Sequence, residues 1–186
     1  MQTEIVIAGF GGQGILFAGQ ILAYAALDAD KVVTWIPSYG PEMRGGTANC
    51  TVIISDEEIG SPLVRNPKAA IVMNLPSLER YEPLITPEGV LVANASLVNR
   101  GPQRSDIANV FISTNEIAET IGDKRLVSMV ALGALLARLP VLTLEQIEKA
   151  LDAHMPERHK RFLPLNCKAL TQGAEFAMKE AAAHPV

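Results

Sequence analysis

The chain has 186 residues, 48% hydrophobic and 19% charged, ordinary values for a globular protein; they predict one domain over residues 1–186 with room for a substantial core. Its net charge of −4 excludes general electrostatic attraction to nucleic acid or to an anionic membrane, and an aromatic share of 5% makes the expected core aliphatic. The longest apolar stretch, near Leu126–Leu139, is too short to span a bilayer and is interrupted by Arg138, and the N-terminus shows no basic leader, so a cytoplasmic protein is expected.

Short β-branched runs alternate with helical patterns. Residues 4–8 (EIVIA) read as a buried strand, and residues 14–27 as a helix with Ile15, Ala18, Ile21, Leu22 and Ala25 on one face. Residues 31–36 (KVVTWI) form a second expected strand. Residues 37–46 hold two prolines and three glycines and cannot be regular structure. A third strand is expected over 47–55, following a loop instead of a helix, which allows an antiparallel insertion. Residues 69–74 read as a fourth strand, and Ser77 as the cap of a short helix ending at Leu84. Further strands are expected over 89–94 and 109–113, then a helix over 114–121 capped by Thr114. The last third reads as helical: an Ala-rich buried helix over 123–139, a helix begun by Thr143 with Glu145 and Gln146 in its first turn, and a tail helix over about 166–182. Strand then helix, with mostly apolar strands, predicts an α/β fold: a Rossmann-like doubly wound, mainly parallel sheet with helices on both faces.

Gly9, Gly11 and Gly14 have the G-x-G-x-x-G spacing between a strand and a helix, with Gly12 and Gln13 extending the exposed backbone. Glycines permit the tight turn, and the free N–H groups at the helix start favour an anion. Three readings are open. Binding of NAD needs an acid at the end of the second strand. Val33, Thr34, Trp35 and Ile36 occupy that place, while Asp28 and Asp30 lie at the strand's other end. The glycines otherwise serve only to close helix against strand, or they receive an anionic ligand or partner group.

Cys50 and Cys167 lie far apart, which predicts neither a disulfide framework nor a cluster held by four thiolates of this chain. His154 and His159 flank MPER at a spacing unlike that of a helical metal pair, so no metal site is expected. The basic run Arg158–Arg161 reads as a solvated face. Trp35 and Met73 read as core.

The segment GFGGQGILFAGQILAYAALDADKVVTWIPSYGPEMRGGTANCTVIISDEEIGSPLV closely resembles the γ subunit of the 2-oxoacid:ferredoxin (acceptor) oxidoreductases, and AAIVMNLPSLERYEPLITPEGVLVANASLV continues the likeness. The wording SYGPEMRGG is most similar to the 2-oxoglutarate-type branch of a family that also acts on pyruvate and 2-oxoisovalerate. The resemblance implies a Rossmann-like subunit docked on catalytic α and β chains, with a δ chain in some assemblies. It implies a complex that converts a 2-oxoacid and coenzyme A to acyl-CoA and carbon dioxide and passes two electrons to ferredoxin. Thiamine diphosphate, magnesium and iron–sulfur clusters are then expected in the partner chains and none on this one.

On that resemblance, Gly9, Gly11, Gly12, Gln13, Gly14 and Arg44 are candidates for holding an anion or coenzyme A. A guanidinium grips phosphate or carboxylate bidentately, and Arg44 is expected at the carboxyl end of a parallel strand. Ser38, Tyr39, Glu42, Arg44, Gly45 and Gly46 are candidates for a subunit interface or active-site loop. An internal Glu42–Arg44 pair that stiffens the loop stays open beside them. The alternatives to the subunit reading are a free-standing NAD- or flavin-dependent reductase and a purely structural interaction module. A subunit separated from its partners should expose an apolar patch and can dimerise through it.

Overall fold

A computed structural model of the chain describes residues 2–39 and 46–183. Its elements run β1 (Gln2–Phe10), α1 (Ile15–Asp28), β2 (Val32–Tyr39), β3 (Thr47–Ser55), β4 (Ala69–Val72), α2 (Leu75–Tyr81), β5 (Val90–Asn94), β6 (Ala108–Ile112), α3 (Thr114–Ile121), α4 (Val127–Arg138), α5 (Leu144–His154) and α6 (Leu163–Ala183). The strands form a six-stranded sheet in the order β2-β3-β1-β4-β5-β6. β1, β4, β5 and β6 pair in parallel, whereas β3 is antiparallel to both β1 and β2. The α/β expectation holds, and the third strand is the antiparallel insertion that its loop connection allowed. β2 runs in the direction of β1 but among the described residues pairs only with β3, so Arg44, expected after a parallel strand, follows a strand paired antiparallel.

Alternation along the strands divides the core in two, because successive side chains point to opposite faces. Ile5, Ile7, Ile71, Val92, Val110 and Ile112 face α1, α4 and the other C-terminal helices. Val6, Ala8, Ala70, Val72, Leu91 and Ala93 meet Leu78, Tyr81 and Ile85 on the other face. β4 and β5 are buried along their whole length, as apolar runs covered on both faces must be.

α4 is buried from Val127 to Leu136 because the sheet lies on one side and α6 on the other. The two helices cross closely at paired glycines. A Cβ on Gly133 would strike the Leu170 carbonyl of α6, and one on Gly173 would strike the Val130 carbonyl of α4.

Local expectations changed at several element ends. Asn74, not Ser77, caps α2: its side chain accepts from the Ser77 backbone N–H at 2.9 Å, and α2 ends at Tyr81 before a 3-10 turn over Glu82–Leu84. Ser113 occupies the cap position of α3, leaving Thr114 buried inside the helix. The stretch read as a helix over 123–139 divides into a 3-10 turn at Lys124–Leu126 and α4. α6 begins at Leu163 and takes Pro164 into its first turn, where no backbone N–H is needed. Thr143 caps α5 in a full capping box, its side chain bonded to the Gln146 N–H while the Gln146 side chain accepts from the Thr143 N–H. No helix of the described residues is long and apolar enough to cross a membrane.

Candidate functional site

The glycine turn sits where the sheet changes the face on which it is covered. β1 leads to α1 on one face, and its parallel neighbour β4 leads to α2 on the other. Open α/β sheets place ligands at the carboxyl ends of such strands. Gly12 (φ 99°) and Gly14 (φ 74°) are in the left-handed region, and a Cβ on Gly14 would lie 2.5 Å from the Ser128 Oγ of α4. The turn is thus fixed both by backbone conformation and by the close approach of a second helix.

The predicted residues of this turn have different tasks. Gln13 is consumed internally: its Oε1 accepts from the Phe10 N–H at 2.7 Å and its Nε2 donates to the Met73 carbonyl at 3.2 Å. That side chain staples the turn to the end of β4 through both its oxygen and its nitrogen. Gly9 lies in β1 opposite Ala48, where a Cβ would press on Met73 at 2.8 Å, so it serves packing. The Gly11 N–H donates to the Gly46 carbonyl at 3.0 Å, tying the turn to the start of β3. Gly12 and Gly14 are the two whose amides meet no protein acceptor among the described residues. Gly14 is also the N-cap of α1 and offers no capping side chain, and the first turn of α1 carries no acid. The positive end of the helix is therefore not neutralised from within.

A cleft of about 320 Å³ opens over Gly12 and Gly14. Phe17, Leu126, Met155 and Phe162 make its walls largely apolar, and Asp123, Arg125, His159 and Asn166 complete them. Arg125 is held in a fixed orientation. Its Nε and Nη2 donate to the two oxygens of Asp123 at 2.9 and 2.6 Å, and Asp123 also accepts from the Arg125 backbone N–H at 3.0 Å. The Arg125 hydrogen bonds hold the Asp123 carboxyl below its usual range, and Asp123 in turn raises Arg125. The Arg125 guanidinium lies 4.6 Å from the centre of the Phe162 ring, and Arg161 lies 4.7 Å from it. The Arg125 side chain remains 69% exposed, so it faces the cleft and solvent. Free amides, a helix start and an oriented guanidinium beside aromatic rings together suit an anion that carries a flat ring system.

Sequence reading missed this second wall. Asp123, Arg125, His159, Phe162 and Asn166 lie more than a hundred residues from the turn, and periodicity does not report such a meeting. The run Arg158–Arg161, expected as a solvated face, places His159 in the cleft wall and Arg161 against Phe162. His154 goes elsewhere: it stacks on Tyr24 with ring centres 4.2 Å apart and bonds Asp28 at 2.9 Å, fastening α5 to α1. Among the described residues no three or more His, Cys, Asp or Glu side chains gather as a metal-ion site.

Of the loop candidates, Glu42, Arg44 and Gly45 lie outside the described residues, and of Tyr39 only the backbone is described, at the end of β2. Ser38 is exposed on β2 opposite Asn49. Gly46 meets the glycine turn through its carbonyl.

The pyruvate ferredoxin/flavodoxin oxidoreductase family matches residues 4–176. The ketoisovalerate oxidoreductase subunit VorA of Methanothermobacter thermautotrophicus is 33% identical over 177 residues, which make up 95% of this chain and 36% of that protein. The chain thus spans little more than a third of that relative's length. The 2-oxoglutarate synthase subunit KorC of Methanocaldococcus jannaschii is 34% identical over 180 residues, 95% of either chain. Among solved structures, the keto/oxoacid ferredoxin oxidoreductase gamma subunit of Geobacter sulfurreducens PCA superposes with a TM-score of 0.81 at 32% identity, covering 95% of this chain and 99% of that one.

Proposed function

This chain belongs to the pyruvate ferredoxin/flavodoxin oxidoreductase family, and on that premise we propose that it is the γ subunit of a 2-oxoacid:ferredoxin oxidoreductase. The observation that carries the reading is its near end-to-end likeness to proteins that are themselves subunits. In the proposed assembly the α and β chains, with δ where it is present, hold thiamine diphosphate, magnesium and the iron–sulfur clusters. The complex converts a 2-oxoacid and coenzyme A to acyl-CoA and carbon dioxide, and ferredoxin accepts the two electrons. The 2-oxoglutarate-type branch is the favoured one.

The part assigned to this chain is to dock beside the catalytic pair and to position coenzyme A. Support comes from the cleft: the amides of Gly12 and Gly14 and the Arg125 guanidinium suit phosphate oxygens, and Phe17 and Phe162 suit the adenine. The NAD alternative has less in its favour. Residues 32–38 of β2 present no carboxylate, and Asp28 is engaged by His154.

Two measurements test this reading. A tagged, oxygen-free pull-down from the native host should recover thiamine- and cluster-bearing chains that oxidise a 2-oxoacid with a viologen acceptor only when coenzyme A is added. A solitary protein that titrates with NAD or flavin would sink the subunit reading. In the recovered complex, Arg125→Ala should raise the KM for coenzyme A roughly tenfold to a hundredfold, the loss of one charge-assisted contact, and leave the KM for the 2-oxoacid in place. An unchanged KM for coenzyme A would remove Arg125 from the site.

A further inference from the structure

β2 closes one end of the sheet order, so among the described residues no strand lies beside its outer edge. The phase of the ladders shows which of its backbone groups point outward. The Lys68 N–H donates to the Glu4 carbonyl and the Met73 N–H to the Ala8 carbonyl, so Glu4 and Ala8 direct their carbonyls toward β4 and its extensions. Neighbouring residues alternate, so Ile5, Ile7 and Gly9 point their polar groups toward β3, at Val52, Cys50 and Ala48. Thr51 and Ile53 of β3 then bond Ile36 and Thr34 of β2. That leaves Val33, Trp35 and Pro37 with their backbone groups directed away from the sheet. Pro37 fits this phase, since its missing N–H falls on the open side. Among the described residues no hydrogen bond outside the sheet ladders uses the backbone of Val33 or Trp35.

The side chains add a second observation. On one face Val33 and Trp35 pack against the main core. On the other, Val32 and Ile36 are 40% and 39% exposed, with Thr34 between them. An edge of this kind, apolar and with free ladder groups, invites another strand.

We infer that the occupant is the β2 strand of a second copy, paired antiparallel about a twofold axis through Thr34. This register is self-complementary. Thr34 meets Thr34 of the second copy, and each Val33 meets the other copy's Trp35 and exchanges both outward N–H···O=C bonds with it. Each Val32 covers the other copy's Ile36, so the exposed apolar pair is matched in kind. Lys31 falls opposite Pro37, so no like charges oppose one another. A twofold moved to Trp35 or Ile36 would set Pro37 against Val33 or Trp35 and lose hydrogen bonds. Lys31 and Pro37 bound the pairable window on either side, and the twofold uses it once, so the contact closes as a dimer without propagating. Among the described residues none of β2 lines the glycine cleft, so the pairing leaves the cleft lining untouched.

The test takes the full chain. Light scattering should give twice 19.9 kDa. In a Cys167→Ser background, Thr34→Cys should form a disulfide dimer under mild oxidation, because Thr34 meets its own copy in a close non-hydrogen-bonded pair. Val32→Cys, which faces Ile36 of the other copy, should not. Thr34→Lys should weaken dimerisation at least tenfold while the melting temperature of the monomer stays within a few degrees. A monomer at all accessible concentrations would overturn the inference. So would a dimer that Thr34→Cys fails to lock, or one that Val32→Cys locks instead.

Discussion

Cys50 and Cys167 sit in different electrostatic surroundings. Burial in β3 pushes the Cys50 thiol from an ordinary 9.0 up to about 12, while Cys167 is half-buried and raised less. In the folded chain Cys50 keeps its proton through the range in which an unfolded thiol loses it. Its contribution to stability is therefore present below about pH 9 and is lost as pH rises from there through about 12. At pH 8 a thiol reagent should titrate Cys167 in the native protein and reach Cys50 only after denaturant is added; fast reaction of both in the native protein would contradict the burial. Sequence reading placed the glycine turn between a strand and a helix, where it lies. It could not divide the labour within that turn. That Gln13 and Gly11 are spent on Met73 and Gly46 while Gly12 and Gly14 stay open depends on contacts from β4 and β3. Arg125 was likewise invisible, since its value comes from Asp123, two residues away, and from Phe162, far off in sequence.

At the scale of the elements, the capping box of α5 is the clearest local signal, because Thr143 and Gln146 bond each other's backbone without help from the rest of the fold. Thr143→Ala should lower stability by about 1 kcal/mol, read by denaturant midpoint at an unchanged slope; a change within error would mean that solvent replaces the cap. α2 and α3 show why other caps were misassigned. Asn74 and Ser77 are both good cap residues by type, and the choice falls to Asn74 because β4 ends at Val72 and the chain turns at once. Pro164 lay outside the tail helix expected over about 166–182, yet it fits the first turn of α6. The Ala-rich character of α4 was legible, but not its partner or the reciprocal pair Gly133 and Gly173, which requires knowing that α4 and α6 cross.

Across the whole molecule, acid stability follows from surface pairs. Lys31 lowers Asp56 to about 2, and Arg104, Arg125 and Lys149 hold Asp106, Asp123 and Glu145 below their ordinary values. A carboxylate depressed in the folded state stabilises above its unfolded pKa and loses that contribution as pH falls through the folded value. The melting temperature should thus be flat from about pH 5 to 8 and fall below about pH 4. Because Asp56, Asp106 and Glu145 are exposed, added salt should shrink the drop. A drop that salt leaves unchanged would point to buried groups instead.

The β2–β3 hairpin carries one more consequence. Its two strands stay in register from Val32 opposite Ser55 to Tyr39 opposite Ala48, and the Gly11–Gly46 hydrogen bond ties the returning end to the glycine turn. Both ends of the intervening span are anchored by the sheet, so its length is thermodynamically inexpensive: doubling a loop costs only about 0.6 kcal/mol in closure entropy. Insertions or substitutions between Tyr39 and Gly46 should therefore leave the sheet register and the core unaltered.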